Sequence, residues 1–134
     1  MTQKLNDWLS GRSITEVECL VPDIAGIPRG KILPADKYHK VLRGSGLRLP
    51  EYVFGQTVTG DYHDSVVLNA AVGDVVLKPD ENAAYLVPWY SEPTAQIIHD
   101  AYYLDNTEVT VAPRFVLKRV IRALNDKGLS AIVA

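Results

Sequence analysis

The sequence contains a single cysteine, Cys19, and this scarcity excludes an internal disulfide. Cys19 alternates with Val17 and Val21 in an apolar run, so we expect a buried, unreactive thiol. The chain also lacks the run of about 18 apolar residues that predicts a transmembrane helix. The N-terminal segment carries Asp7 and has no apolar core, which is unlike a signal peptide. Together these absences predict a cytoplasmic protein.

Neither sign of charge dominates the chain. Fourteen Lys and Arg residues against 16 Asp and Glu give a net charge of -2. Because there is no basic stripe or acidic tail, we expect no nucleic-acid partner and no anionic membrane surface. At 134 residues, with 47% apolar and 22% charged residues, the sequence predicts one globular domain that buries roughly two thirds of its unfolded surface.

Motifs of self-contained catalysis are missing as well. The sequence has no glycine-rich phosphate loop, no nucleophile elbow and no pair of histidines at metal-ligand spacing. Asp61, His63 and Asp64 are metal-ligating types, but three ligands within four residues rarely converge on one ion, so a polar turn is favoured. From the residues alone, an isolated binding or structural domain is the favoured interpretation.

What the sequence does contain is a β-hairpin. We predict strands at Ile14–Val21 and Pro28–Leu33, joined by a turn at Asp23–Gly26, where Asp can bond its own backbone and Gly supplies a positive φ. The prolines beside the second strand indicate an edge strand. Arg29 and Lys31 share one face of it by the strand period of two. We interpret them as guards against edge-to-edge pairing rather than as ligand-binding residues.

The remaining pattern predicts an α+β fold, with a small mixed sheet packed on helices. The sheet includes Thr94–Tyr102, whose two mostly apolar faces indicate a central strand covered on both sides. The other expected elements are helices at 2–10, 35–42 and from Pro113 to a stop at Gly128, an apolar run at 73–80, a strand at 83–87 and an irregular stretch at 43–65. We expect His39 at the surface and His99 hydrogen-bonded in the sheet.

Leu129–Ala134 reads as the start of an apolar strand with no polar residue after it. Because termini normally lie at the polar surface, we expect a fragment whose continuation pairs this strand.

Four segments, in this order, resemble the N-terminal β-grasp domain of glutamine synthetases. They are Pro22-Asp23-Ile24-Ala25-Gly26-Ile27-Pro28-Arg29-Gly30-Lys31 with Pro34 behind it, the loop Phe54–Gly60, the segment Gly73-Asp74-Val75-Val76-Leu77-Lys78-Pro79-Asp80, and Pro113–Arg119, which resembles the Pro-Arg start of the family's interdomain helix. The resemblance implies a β-grasp domain at residues 1–112. Residues 113–134 would then be the linking helix and the first strand of a C-terminal catalytic domain.

The resemblance also implies an activity for the full-length protein. Members of the family use ATP to make γ-glutamyl phosphate, which ammonia or an amine attacks. Their ATP and Mg²⁺ or Mn²⁺ sites lie in the C-terminal domain, so this fragment should bind no cofactor, contain no complete catalytic set and be inactive alone. The implied partners are the protein's own C-terminal domain and that of a neighbouring subunit, in a ring-shaped, dodecamer-like homo-oligomer. The alternative is a stand-alone β-grasp protein-interaction module without catalysis.

The loop that faces the neighbouring active site in the family departs from its pattern here. Ammonia-using members have Phe-Asp-Gly-Ser-Ser, whose Asp binds and deprotonates ammonium. The matching residues here, with Asp61 added, are Phe54, Gly55, Gln56, Thr57, Val58, Thr59, Gly60 and Asp61. Gly55 stands at the Asp position, and glycine can neither attract a cation nor take its proton. The loop, with Arg29-Gly30-Lys31, resembles the branch that ligates glutamate to polyamines or other amines. Whether Asp61 replaces the lost carboxylate stays open.

Overall fold

In a computed structural model, residues 3–62 and 73–132 are described, and they form an α+β fold. Helix α1 (Gln3–Ser10) is followed by strands β1 (Glu16–Pro22) and β2 (Pro28–Pro34) and by helix α2 (Ala35–Arg43). Strands β3 (Leu47–Pro50), β4 (Asp74–Leu86) and β5 (Thr94–Tyr102) come next, and helix α3 (Pro113–Asn125) is the last element. A short 3₁₀ helix, Glu51–Gly55, follows β3. The predicted hairpin, the first two helices and the strand at 94–102 are confirmed. No helix within 3–62 or 73–132 is long and apolar enough to cross a membrane.

The five strands make one mixed sheet in the order β2-β1-β5-β4-β3. β1 runs parallel to β5, and the other neighbours are antiparallel. β2 is therefore an edge strand, as its prolines predict, and β5 is central. A small mixed sheet packed on helices is the predicted fold class, which is confirmed.

One face of the sheet carries the core. Val17, Cys19 and Val21 of β1 are fully buried there, together with Ala95 and Ile97 of β5. Leu5 and Leu9 of α1 and Tyr38 of α2 join the same cluster. Burial raises the pKa of the Cys19 thiol to about 12, which favours the protonated thiol at neutral pH. The predicted burial of Cys19 is confirmed.

The prediction that β5 is covered on both faces is confirmed only in part, because one face is buried and the other is partly covered. Alternate residues of β5 are buried, but the intervening side chains, including Asp100 and Tyr102, are only half-buried. His99 lies on the buried face and hydrogen-bonds as predicted, with Nε2 3.2 Å from the Tyr38 hydroxyl. His39, which we expected at the surface, is half-buried, and its Nδ1 has no hydrogen-bond partner among the described residues.

The region around β3 and β4 corrects two further predictions. The apolar run at 73–80 and the strand at 83–87 are one strand, β4, whose register against β5 shifts between Pro79 and Ala84. The irregular stretch at 43–65 contains β3, which pairs with the start of β4, and the 3₁₀ helix.

α3 begins at Pro113 and ends at Asn125, slightly before the predicted stop. Gly128, at φ 74°, follows in the left-handed conformation that favours glycine, and the Leu129 N–H donates to the Leu124 carbonyl at 3.0 Å. The apolar face of α3 remains open, with Leu117 55% exposed. Residues 129–132 belong to no helix or strand, so the predicted strand is not formed there; residues 133–134 lie outside the described residues.

Candidate functional site

The tip of the β1–β2 hairpin is organised around Asp23, which is 1% exposed. Its Oδ1 accepts hydrogen bonds from the backbone N–H groups of Ala25 and Ile27, both at 2.9 Å. Gly26 has φ 78°, and its N–H donates to the Asp23 carbonyl at 3.0 Å. The predicted Asp/Gly turn is therefore confirmed, with the Asp side chain acting as its central acceptor.

Arg29 joins this hairpin to the Phe54–Asp61 loop. Its Nε donates to Asp23 Oδ2 at 2.8 Å, and its Nη2 donates to the Thr57 carbonyl at 2.8 Å. A second link is the Ile24 N–H, which donates to the Phe54 carbonyl at 3.0 Å. Residues about 30 positions apart in the sequence are thus held in one site.

The interpretation of Arg29 and Lys31 as edge guards stays a prediction, but both side chains also make specific contacts within the fold. They do share one face of β2, but they lie opposite Val21 and Cys19, so that face is the one that carries the core. Lys31 Nζ donates to the Arg48 carbonyl of β3 at 2.8 Å. Arg29 therefore links the hairpin to the loop, and Lys31 links the hairpin to β3, the strand that precedes the loop.

The loop is a small hairpin anchored by the buried side chain of Phe54. Gln56 and Tyr62 form an antiparallel bridge, and the Gly60 N–H donates to the Thr57 carbonyl at 3.0 Å. Gly60 has φ 89°, a conformation that few residues other than glycine adopt. The sequence therefore closes a tight turn at the tip of this loop.

Three side chains order the loop tip. The Thr57 hydroxyl accepts from the Asp61 N–H at 3.0 Å and lies 2.9 Å from the Thr59 hydroxyl. The Thr59 hydroxyl donates to Asp61 Oδ2 at 2.7 Å. Since that hydroxyl has one proton, it accepts from Thr57. The chain of bonds holds the Asp61 carboxylate at an exposed position.

The remaining predicted loop residues have simpler surroundings. Gly55, which the resemblance matches to the Asp of ammonia-using members, is the last residue of the 3₁₀ helix and presents no side chain there. Gln56 Nε2 donates to the Gly60 carbonyl at 3.2 Å, and Val58 is 72% exposed. Of the residues considered for a metal, Asp61 is described, whereas His63 and Asp64 lie outside the described residues. Within 3–62 and 73–132, no group of three or more metal-ligating side chains is arranged around an ion site.

Sequence reasoning missed Glu51, at the start of the 3₁₀ helix. Its side chain is 3% exposed, and its Oε1 accepts from the Tyr103 hydroxyl at 2.6 Å. Desolvation and the neighbouring carboxylate raise the pKa of Tyr103 to about 12, so the hydroxyl remains a donor at neutral pH. The sequence holds no local signal for this pair, because the two residues are 52 positions apart. The contact fixes the helix that leads into the loop.

The chain is similar to known proteins over nearly its whole length. No protein-family model matches the chain. It is 25% identical over 134 residues to glutamate–isopropylamine ligase of a Pseudomonas species, 27% over 132 residues to glutamine synthetase of Thermus thermophilus, and 29% over 140 residues to gamma-glutamylputrescine synthetase of Escherichia coli. These similarities cover 98%, 94% and 99% of the chain.

The resemblance to the glutamine synthetase family is confirmed. A solved structure described as a complex of GmaS with ADP has the same fold over 95% of the chain, with a TM-score of 0.72 at 19% identity. The chain spans only 29%, 27% and 28% of the three glutamine synthetase-type relatives. The activity of a whole protein is therefore a separate inference.

Proposed function

We propose that the chain is the N-terminal part of a glutamine synthetase-type ligase. The enzyme joins the γ-carboxylate of glutamate to an amine, with ATP as the energy source. The observation that carries the proposal is the similarity to three such ligases over nearly the whole chain. In this proposal residues 1–112 are the β-grasp domain, and residues 113–134 lead into the catalytic domain.

In this proposal, the catalytic reaction takes place in the remainder of the protein. ATP and Mg²⁺ or Mn²⁺ bind in the C-terminal domain, so residues 1–134 alone have no turnover. The exposed apolar side chains of α3, such as Leu117 and Val120, suit a helix that continues into a further packed unit. The protein works as a ring-shaped homo-oligomer in the cytoplasm.

The Phe54–Asp61 loop supplies the amine site of a neighbouring subunit. Two observations support this proposed role. The loop tip is exposed, and hydrogen bonds within the loop order it. Two cations of the hairpin brace it and the preceding strand. A rigid exposed tip is what a site completed across a subunit interface needs, because its geometry is set before the subunits meet.

We favour an amine larger than ammonia as the substrate. Gly55 leaves room where ammonia-using members carry an Asp, and it provides no charge for a small cation. Asp61 is the one carboxylate of the loop, and its position at the tip lets it attract an alkylammonium group. An amine attacks γ-glutamyl phosphate only after it loses a proton, and a carboxylate can accept that proton.

The test is an assay of phosphate release by the full-length protein with ATP, glutamate and a panel of amines that includes ammonium, isopropylamine and putrescine. We expect release that depends on glutamate and on at least one amine. Asp61→Asn should raise the KM for that amine, whereas Asp36→Asn on exposed α2 should leave it unchanged. Absence of release with every amine would contradict the proposed function.

A further inference from the structure

The structure assigns Arg29 as the positioning residue of the Phe54–Asp61 loop. One guanidinium contacts the buried carboxylate of Asp23 and the main chain of Thr57, which lies 28 residues further along the chain. This inference rests on the proposed function only where it concerns the amine. The link between hairpin and loop is a property of residues 3–62 themselves.

Asp23 fixes the direction in which the guanidinium points. Its side chain is fully buried, and the side chain of Arg29 is 20% exposed. One Asp23 oxygen is occupied by two backbone N–H groups, which leaves the other for Arg29 Nε. Because the guanidinium is planar and rigid, a fixed Nε also fixes the direction of Nη2. The turn of the hairpin therefore aims a charged donor at the loop.

Thr57 passes this constraint on to Asp61. The Thr57 carbonyl accepts from both Arg29 and the Gly60 N–H, and the Thr57 N–H donates to the Asp61 carbonyl. The Thr57 hydroxyl also accepts from the Asp61 N–H. A residue that makes all of these bonds cannot shift without moving the turn and its carboxylate. Arg29 thereby acts through Thr57 and touches no substrate.

The variant Arg29→Lys separates the effect of the positive charge beside Asp23 from the effect of the contact with Thr57. Lysine keeps a positive charge beside Asp23, but a single ammonium lacks the fork that reaches Asp23 and Thr57 together. The hairpin should stay folded while the loop loses its brace. Arg12→Lys is the matched control, since Arg12 stacks on Trp8 and donates to the Trp8 carbonyl within the α1 region.

Amide hydrogen exchange of the 134-residue chain, followed by NMR, measures the effect directly. In Arg29→Lys we expect the amides of Thr57, Gly60 and Asp61 to exchange about tenfold faster, the factor set by loss of one charge-assisted hydrogen bond. The amides of Ala25 and Ile27 should keep their rates. Unchanged loop rates, or an equal acceleration at every amide, would overturn the positioning role.

Kinetics of the full-length ligase provide the second readout. Arg29→Lys should raise the KM for the amine about tenfold and leave the KM values for ATP and glutamate unchanged. Unchanged amine kinetics alongside faster loop exchange would overturn the part of the inference that concerns the amine. If the wild-type ligase had no activity, the proposed function would fail, while the exchange data would still decide whether Arg29 positions the loop.

Discussion

Tyr38 of α2 and His99 of β5 meet inside the core, with the Tyr38 hydroxyl 3.2 Å from His99 Nε2. The other ring nitrogen, Nδ1, lies 2.9 Å from the Ile97 carbonyl. A carbonyl can only accept, so Nδ1 carries the proton and Nε2 accepts from Tyr38. The pair joins the helix to the central strand through a neutral imidazole. Burial lowers the pKa of His99 to about 4.

This pKa predicts a loss of stability in mild acid. An unfolded histidine takes up a proton near pH 6.5, whereas folded His99 resists protonation down to about pH 4. The contribution of neutral His99 to the free energy of unfolding is therefore complete above pH 6.5. About 3 kcal/mol of it is lost as the pH falls to about 4. Urea denaturation from pH 4 to 7.5 should show this slope in the wild type and in His39→Gln. His99→Gln should lack that part of the slope, and an NMR titration of His99 near pH 6.5 would refute the prediction.

Tyr103→Phe should destabilise the fold by leaving the buried Glu51 carboxylate without its hydroxyl donor. We expect a loss of about 2 kcal/mol in the free energy of unfolding, typical of a hydrogen bond to a charged group. Tyr85→Phe is the matched control, because Tyr85 is 54% exposed. Chemical denaturation at pH 7 measures both. Equal stability of the two variants would show that the Glu51 contact contributes nothing.

The start of α3 is held to the sheet by ion pairs in which Arg114 and Lys118 share the carboxylates of Asp80 and Asp100. Arg114 bonds to Asp80 of β4 and, through Nε at 3.0 Å, to Asp100 of β5. Arg114→Met should lower the free energy of unfolding by about 2 kcal/mol and speed amide exchange at the start of α3. Arg119→Met, on an exposed position of the same helix, should do neither. Similar exchange in both variants would contradict this role.

Gly55→Asp should shift the ligase towards ammonium. In the proposed amine site, the substitution places a carboxylate at the position that the resemblance matches to the Asp of ammonia-using members, and it fills space needed by a larger amine. We expect the ratio of kcat/KM for ammonium to that for the preferred amine to rise about tenfold or more, the effect of one added cation contact. Gly55→Asn adds similar volume without charge and serves as the control. A rise of the same size in Gly55→Asn would assign the effect to volume alone.

Local chemistry explains why the hairpin and α3 are predictable from the sequence. Asp23 and Gly26 specify their turn by themselves, and Pro113 favours the first position of a helix. The segments whose secondary structure was predicted incorrectly depend on pairing partners that are distant in the sequence. β3 has only four residues and ends at Pro50, and it exists because β4 pairs with it. Within β4, the residues Pro79 and Asp80 suggest the end of a strand. In the structure the strand continues past them, and its register against β5 shifts between Pro79 and Ala84.

The candidate site likewise combines features that the sequence predicts with contacts that it does not predict. The loop residues 54–61 were predicted from the resemblance, but their bracing was not. The strand period of two places Glu18 on the face of β1 opposite Val17 and Cys19, where a solvated side chain is expected. Glu18 is nevertheless 8% exposed, because Tyr90 and Gln96 donate to its carboxylate. Arg29 lies on an edge strand, as predicted, but its contact with Thr57 joins it to a different part of the chain. Such contacts follow from tertiary packing, which a strand pattern does not specify.

The proposed amine specificity can be measured as kcat/KM of the full-length protein for ammonium and for a panel of larger amines, at saturating ATP and glutamate. We predict a higher kcat/KM for an alkylamine or polyamine than for ammonium, because Gly55 offers no carboxylate for a small cation at the position that the resemblance matches to the family's Asp. A higher kcat/KM for ammonium would contradict the assignment as an amine ligase and would show that another group takes over the role of the missing carboxylate.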